Sequence, residues 1–218
     1  MKTTPLQIPV SKNLGSVSAE IIEPENAKAI LTFAHGAGAG MNNYFMVGLA
    51  NELAQLGIAT LRFNFSYIEQ KKKLPDPPAI AHKTIAAAID KTHELFPSVP
   101  FFASGKSFGG RMSSQYLTTV NFKWVKGIIF YGFPLHPAGM PLTERAEHLK
   151  TLKLPMLFIQ GTSDELAELG LIEKVTGNLL TATLHKMEGT DHSFNAARHN
   201  LLPTLAQVTH DWITKILH

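Results

Sequence analysis

Short, near-continuous apolar runs recur along this chain, separated by longer segments whose apolar residues fall at helical spacing. "KAILTFA", "IATLRFNF", "GIIFYG" and "MLFIQG" have no alternation of polar and apolar residues, so both faces of each strand must be covered. Strands are expected at 5–10, 16–23, 28–34, 58–65, 100–104, 126–132, 155–160 and 181–187. Helices are expected at 44–56, 79–95, 108–120, 143–150, 165–176 and 197–217. The first two strands are joined by a short polar turn, which suggests an antiparallel start. In the helix that begins near residue 79, Ile80, Ile85, Ile89 and Leu95 form one stripe, ended by Pro97. Strand-helix alternation of this kind implies an α/β fold, a mostly parallel, doubly wound sheet of about eight strands with helices on both faces.

No repeat, low-complexity segment or composition shift divides the 218 residues, so residues 1–218 read as a single domain. The one conspicuous loop is "SYIEQKKKLPDPP" (66–78). Its Lys71-Lys72-Lys73 run is too short for a nucleic-acid footprint and reads as solvated, in line with a formal charge of only +3. There is no cysteine, which excludes disulfides, zinc-thiolate sites and a cysteine nucleophile. The first residues lack the apolar core of a signal peptide, and no stretch reaches 18 apolar residues. The expectation is a soluble, cytoplasmic protein that binds neither nucleic acid nor membrane.

"FFASGKSFGG" (101–110) admits two readings. Gly105-Lys106-Ser107 could close a phosphate-binding P-loop, but that motif needs glycine where Pro100 stands, and Phe101–Ser104 look like a buried strand. Gly105-Lys106-Ser107-Phe108-Gly109 also fits G-x-S-x-G, a sharp strand-to-helix turn that presents a serine and needs small flanking residues. That pattern is weak alone. Two further strands, however, end in turns carrying Asp164 ("GTSDE") and His192 ("GTDHSF"), in the order nucleophile, acid, base. C-terminal strand ends are where such sheets gather their ligand sites. Asp164 could instead cap a helix starting near Glu165. Asp191 and Glu165 are rival acids; Asp191 adjoins His192, and neighbouring side chains diverge.

"AHGAGAG" (34–40) supplies a loop in which backbone N–H groups can approach a developing oxyanion. Ala37 and Phe108 are the expected donors. A dinucleotide fingerprint is excluded, because Met41 and Asn43 stand where glycine is needed and no acidic residue lies in the next strand.

Residues 33–40, 105–111, 161–165 and 189–194 together resemble small α/β-hydrolases, similar to the dienelactone hydrolase group and its relatives with G-K-S-x-G-G-R elbows. The resemblance implies Ser107 as nucleophile, His192 as base and Asp164 as its orienter, with no cofactor and no metal. Dienelactone hydrolases use cysteine where Ser107 stands, so their lactone substrate does not carry over. The implied activity is cleavage of an ester or thioester of a small acyl substrate, by a monomer or homodimer. Amide hydrolysis, or a non-catalytic binding or scaffold role on the same fold, is the alternative.

The interval 133–154 has room for one short helix and no lid. Met41, Tyr44, Tyr67, Phe108, Phe133, Leu135 and Phe194 are the expected walls of an open cleft. Lys106, Arg111 and Arg62 either favour an anionic substrate or are merely solvated.

Overall fold

A computed structural model describes residues 1–195 and 200–218. Eight strands form one sheet in the order β1-β2-β4-β3-β5-β6-β7-β8. They are β1 (Lys2–Ser11), β2 (Gly15–Glu23), β3 (Ala29–Ala34), β4 (Ile58–Phe63), β5 (Phe101–Lys106), β6 (Val125–Tyr131), β7 (Met156–Gly161) and β8 (Ala182–Met187). β1 pairs antiparallel with β2, and β2 antiparallel with β4; every later pairing is parallel. The antiparallel start follows from the short turn between β1 and β2, and the parallel remainder from the helical crossovers.

The continuous apolar runs are explained by which face each residue meets. In β6, Ile128 and Phe130 join one core with Ala81, Ile85, Met112 and Ile172. Ile129 and Tyr131 join the opposite core with Met46, Leu49, Leu205 and Trp212. All six residues of β3 are buried. Each fully buried aliphatic or aromatic side chain contributes about 1.5–3 kcal/mol, so a single polar substitution in β3 or β6 is costly.

The helices are α1 (Tyr44–Gln55), α2 (Ser66–Glu69), α3 (Pro78–Leu95), α4 (Phe108–Leu117), α5 (Leu169–Gly177) and α6 (Leu202–Leu217), with a 3₁₀ helix at Glu144–Thr151. Four differences from the sequence pattern are local. The 66–78 loop opens with the helical turn α2, and Asp76 Oδ2 accepts the Tyr67 N–H at 3.0 Å. α3 buries Ala81, Thr84, Ile85, Ala88, Ile89 and Thr92, while Leu95 is exposed, so its buried stripe runs through small residues. The 143–150 segment winds as 3₁₀ rather than α. α5 starts at Leu169 rather than 165, because Asp164 makes a tight turn: its Oδ1 accepts the Leu166 N–H at 2.8 Å, and its carbonyl accepts the Ala167 N–H at 3.2 Å. Residues 197–199 of the expected last helix lie outside the described residues. No described helix is long and apolar enough to cross a membrane.

Candidate active site

β5 delivers Ser107 into a turn with φ 49° and ψ −115°, and α4 begins at the next residue. A positive φ is strained for a residue with a side chain. The strain is held by backbone bonds: Ser107 N–H donates to Tyr131 O at 3.1 Å, and Ser107 O accepts the Arg111 N–H at 3.1 Å. Close packing explains the glycines. A Cβ on Gly105 would lie 2.4 Å from Gly110 N, and one on Gly109 2.4 Å from Ala34 O.

His192 follows β8, and its Nε2 lies 2.8 Å from Ser107 Oγ. Its Nδ1 lies 2.7 Å from Asp164 Oδ2. A carboxylate only accepts, so Nδ1 carries the proton and Nε2 is left to accept the serine O–H. The Asp164 side chain is fully buried, with three donors around it: His192 Nδ1, Gln160 Nε2 and the Leu166 N–H. Gln160 is itself oriented by accepting the Phe133 N–H at 2.9 Å on Oε1.

The rival acids are committed elsewhere or away. Asp191 Oδ1 accepts the Ser193 and Asn195 N–H groups at 2.9 Å, and its Oδ2 accepts Asn195 Nδ2 at 3.0 Å, so it shapes the loop that carries His192. Glu165 is exposed.

The Gly36–Gly40 loop is pinned from behind. Gly38 N–H donates to Tyr67 Oη at 2.9 Å, Ala39 N–H to Gly36 O at 3.3 Å, and Met41 N–H to Asn64 Oδ1 at 2.8 Å. His35 is buried, donates from Nδ1 to Gly36 O at 2.7 Å and accepts the Phe65 N–H on Nε2 at 3.1 Å. Burial lowers its pKa to about 4, which keeps the ring neutral. Ala37 takes part in none of these bonds and faces the cleft. Phe108 is the first residue of α4, where N–H groups have no acceptor within the helix and the helix dipole favours negative charge.

A cleft of about 360 Å³ opens over Ser107 and His192, with Ala37, Asn43, Phe45, Met46, Lys106, Leu166 and Ser193 among its walls. Size alone does not single it out, since a hollow of about 420 Å³ lies between Leu142, Ala146 and Val175.

None of the seven residues expected to wall the cleft is among those that line it. Tyr67 and Phe133 are fully buried in the core, Tyr67 as the acceptor for Gly38 and Phe133 against Phe130 and Phe158. Leu135 is core as well. Met41 is buried behind the glycine loop, with its backbone bonded to Asn64 and Arg62. Tyr44 is exposed and turned toward a neighbouring hollow, whose lining includes Phe194. Phe108 packs edge-on against Phe65. The residues missed, Phe45, Met46, Leu166 and Ser193, each lie within a few positions of a motif, and that proximity was the available signal.

The three cations also separate. Arg62 is buried, paired with Glu20 and donating to Met41 O at 2.6 Å, so it braces the glycine loop. Arg111 is not among the cleft residues; burial, with Arg145 nearby, holds its pKa below the usual arginine value. Lys106 does line the cleft, and its Nζ donates to His192 O.

Residues 27–216 match the protein family described as "Alpha/beta hydrolase domain". The chain belongs to the α/β-hydrolase family. The eight-stranded sheet with two antiparallel pairings at one end is that family's fold. Among solved structures, a dienelactone hydrolase of Anabaena variabilis is similar at 19% identity and TM-score 0.79, covering 98% of this chain and 97% of that one. An α/β serine hydrolase homologue of Coxiella burnetii is 21% identical with a TM-score of 0.76, covering 97% of each chain. A Xanthomonas campestris protein described as a serine hydrolase without a lid is 21% identical with a TM-score of 0.74, covering 99% of this chain and 95% of that one. At such identities the likeness is one of fold.

Proposed function

We propose that this α/β hydrolase is a serine hydrolase that cleaves an ester or thioester through an acyl-enzyme. The observation that carries the reading is the unbroken relay from Ser107 Oγ to His192 at 2.8 Å and from His192 to the buried Asp164 at 2.7 Å. In the first half-reaction, Ser107 Oγ attacks the substrate carbonyl as His192 Nε2 takes its proton. The tetrahedral oxyanion is met by the Ala37 and Phe108 N–H groups. It collapses, and the imidazolium hands the proton to the departing alkoxide or thiolate. Water then attacks the acyl-serine by the same steps, releasing the acid and restoring Ser107. Asp164 holds the Nδ1–H tautomer and stabilises the imidazolium.

The reading is supported by the strained turn at Ser107 and by the serine hydrolases among the similar structures. The short 133–154 interval and the modest apolar wall of Phe45, Met46 and Leu166 favour short or medium acyl groups.

A fluorophosphonate probe tests the proposal. Wild-type protein should be labelled, while Ser107→Ala should not, and His192→Ala should slow labelling on the order of 10⁶-fold by analogy with other triads. Labelling that persists in Ser107→Ala would overturn it.

A further inference from the structure

Lys106 precedes Ser107 at the end of β5, yet its ammonium reaches across the sheet to the loop after β8. The path crosses the end of β6, where Gly132 stands at φ 69°. A Cβ there would lie 3.0 Å from Lys106 Nζ and 3.3 Å from His192 O, so a side chain would crowd the contact that glycine leaves open. Above the ammonium, Phe45 from α1 and Phe194 from the His192 loop stack at 5.9 Å and 16°. Nζ lies 5.7 Å and 5.2 Å from the two ring centroids, within the range of cation-π attraction. Phe194 is itself held at φ 59°, an unusual conformation for an aromatic residue.

We propose that Lys106 is a positioning residue, clamping the backbone of the base His192 onto the strand that carries the nucleophile. The role rests on the serine-hydrolase reading above. Ser107 and His192 come from strands separated in the sheet by β6 and β7, and the clamp is a direct bond between the two ends. A side chain committed in this way is not free to bind a substrate anion.

The charged groups facing the ammonium are Asp164, from the loop after β7, and Asp191, from the loop after β8. The His192 ring adjoins it, while Tyr131 of β6 turns its hydroxyl to Thr209. Burial lowers the lysine pKa to about 8, against the attraction of the two carboxylates. The clamp therefore weakens as pH rises through 8, since a hydrogen bond from an ammonium is about twice as strong as one from a neutral donor.

The test compares wild type, Lys106→Met and Gly132→Ala by fluorophosphonate labelling rate and by kcat and KM on neutral p-nitrophenyl acetate, from pH 6 to 10. Lys106→Met keeps an apolar side chain beside the rings but removes the donor. It should fall roughly 100-fold in labelling rate and kcat, the size expected for a base displaced by about 1 Å, with KM little changed. It should also lose the alkaline fall near pH 8 expected of wild type. Gly132→Ala, which keeps the charge but crowds the contact, should fall about tenfold and show a shallower alkaline limb. It carries the test if Lys106→Met does not fold. A Lys106→Met protein within threefold of wild type, with an unchanged pH profile, overturns the clamp. So does a loss confined to KM for an anionic ester. Wild type that takes no label at all would instead remove the serine-hydrolase reading and the clamp with it.

Discussion

Asp164→Asn removes one negative charge from the proposed relay, together with the acceptor of the Leu166 N–H. Gln160 is fixed by Phe133, so its amide nitrogen must face residue 164, as must the His192 Nδ1–H. Two donors thus meet the Oδ2 position and one, from Leu166, meets Oδ1. With its oxygen toward His192 and Gln160, the asparagine keeps the histidine tautomer but sets its NH₂ against the Leu166 N–H, whose turn bond is lost. The loss that bears on catalysis is the attraction between carboxylate and the imidazolium that forms in the transition state. With charge centres roughly 4 Å apart and an effective permittivity of about 20, that attraction is about 4 kcal/mol. The expected loss is on the order of 10³ in kcat. Asp164→Ala also frees the ring and should lose roughly 10⁴. Asp191→Asn can still accept both backbone N–H groups and gives up mainly the Asn195 side-chain bond, a loss of less than about tenfold. The assay is p-nitrophenyl acetate hydrolysis, with each variant first shown to be folded by thermal melt. If Asp191→Asn loses more activity than Asp164→Asn, the acid is misassigned and the electrostatic reasoning fails.

Gly105→Ala places a Cβ against backbone on α4 and should cost about 3 kcal/mol, a fall in Tm of roughly 6–12 °C. Gly170→Ala, with nothing within 4 Å of its Cβ, should hold or raise Tm; equal effects in calorimetry would contradict the packing argument. His35 takes up its proton at about 4 when folded and near 6.5 when unfolded, so the unfolded chain binds more protons between those values. Stability present above pH 6.5 is therefore lost as pH falls toward 4, by about 3 kcal/mol, and urea titrations should show a shallower pH dependence in His35→Asn. In a series of p-nitrophenyl esters, kcat/KM should stop rising within about eight carbons. A continued gain near 0.8 kcal/mol per CH₂ beyond that length would show a longer acyl site than this cleft provides.

The residues proposed for the chemistry were legible in the sequence because each obeys a local rule. Ser107 needs glycines on either side of a strand-to-helix corner, and Asp164 and His192 each sit in a turn just past an apolar strand. The buried runs of β3, β4, β6 and β7 were legible for the same reason, since a strand covered on both faces has no polar alternation to hide. The cleft walls were not legible. Tyr67 and Phe133 look like any aromatic residues beside a motif, but tertiary packing turns one behind Gly38 and the other into the core. Lys106 looked like a solvated cation or an anion binder, and only the strand order β5-β6-β7-β8 brings it over Gly132 to His192. Local sequence sets periodicity, turn geometry and which strand ends carry reactive groups. Which side chains meet across those ends is fixed by how the strands are ordered and how the helices pack, and no short stretch of this chain encodes either.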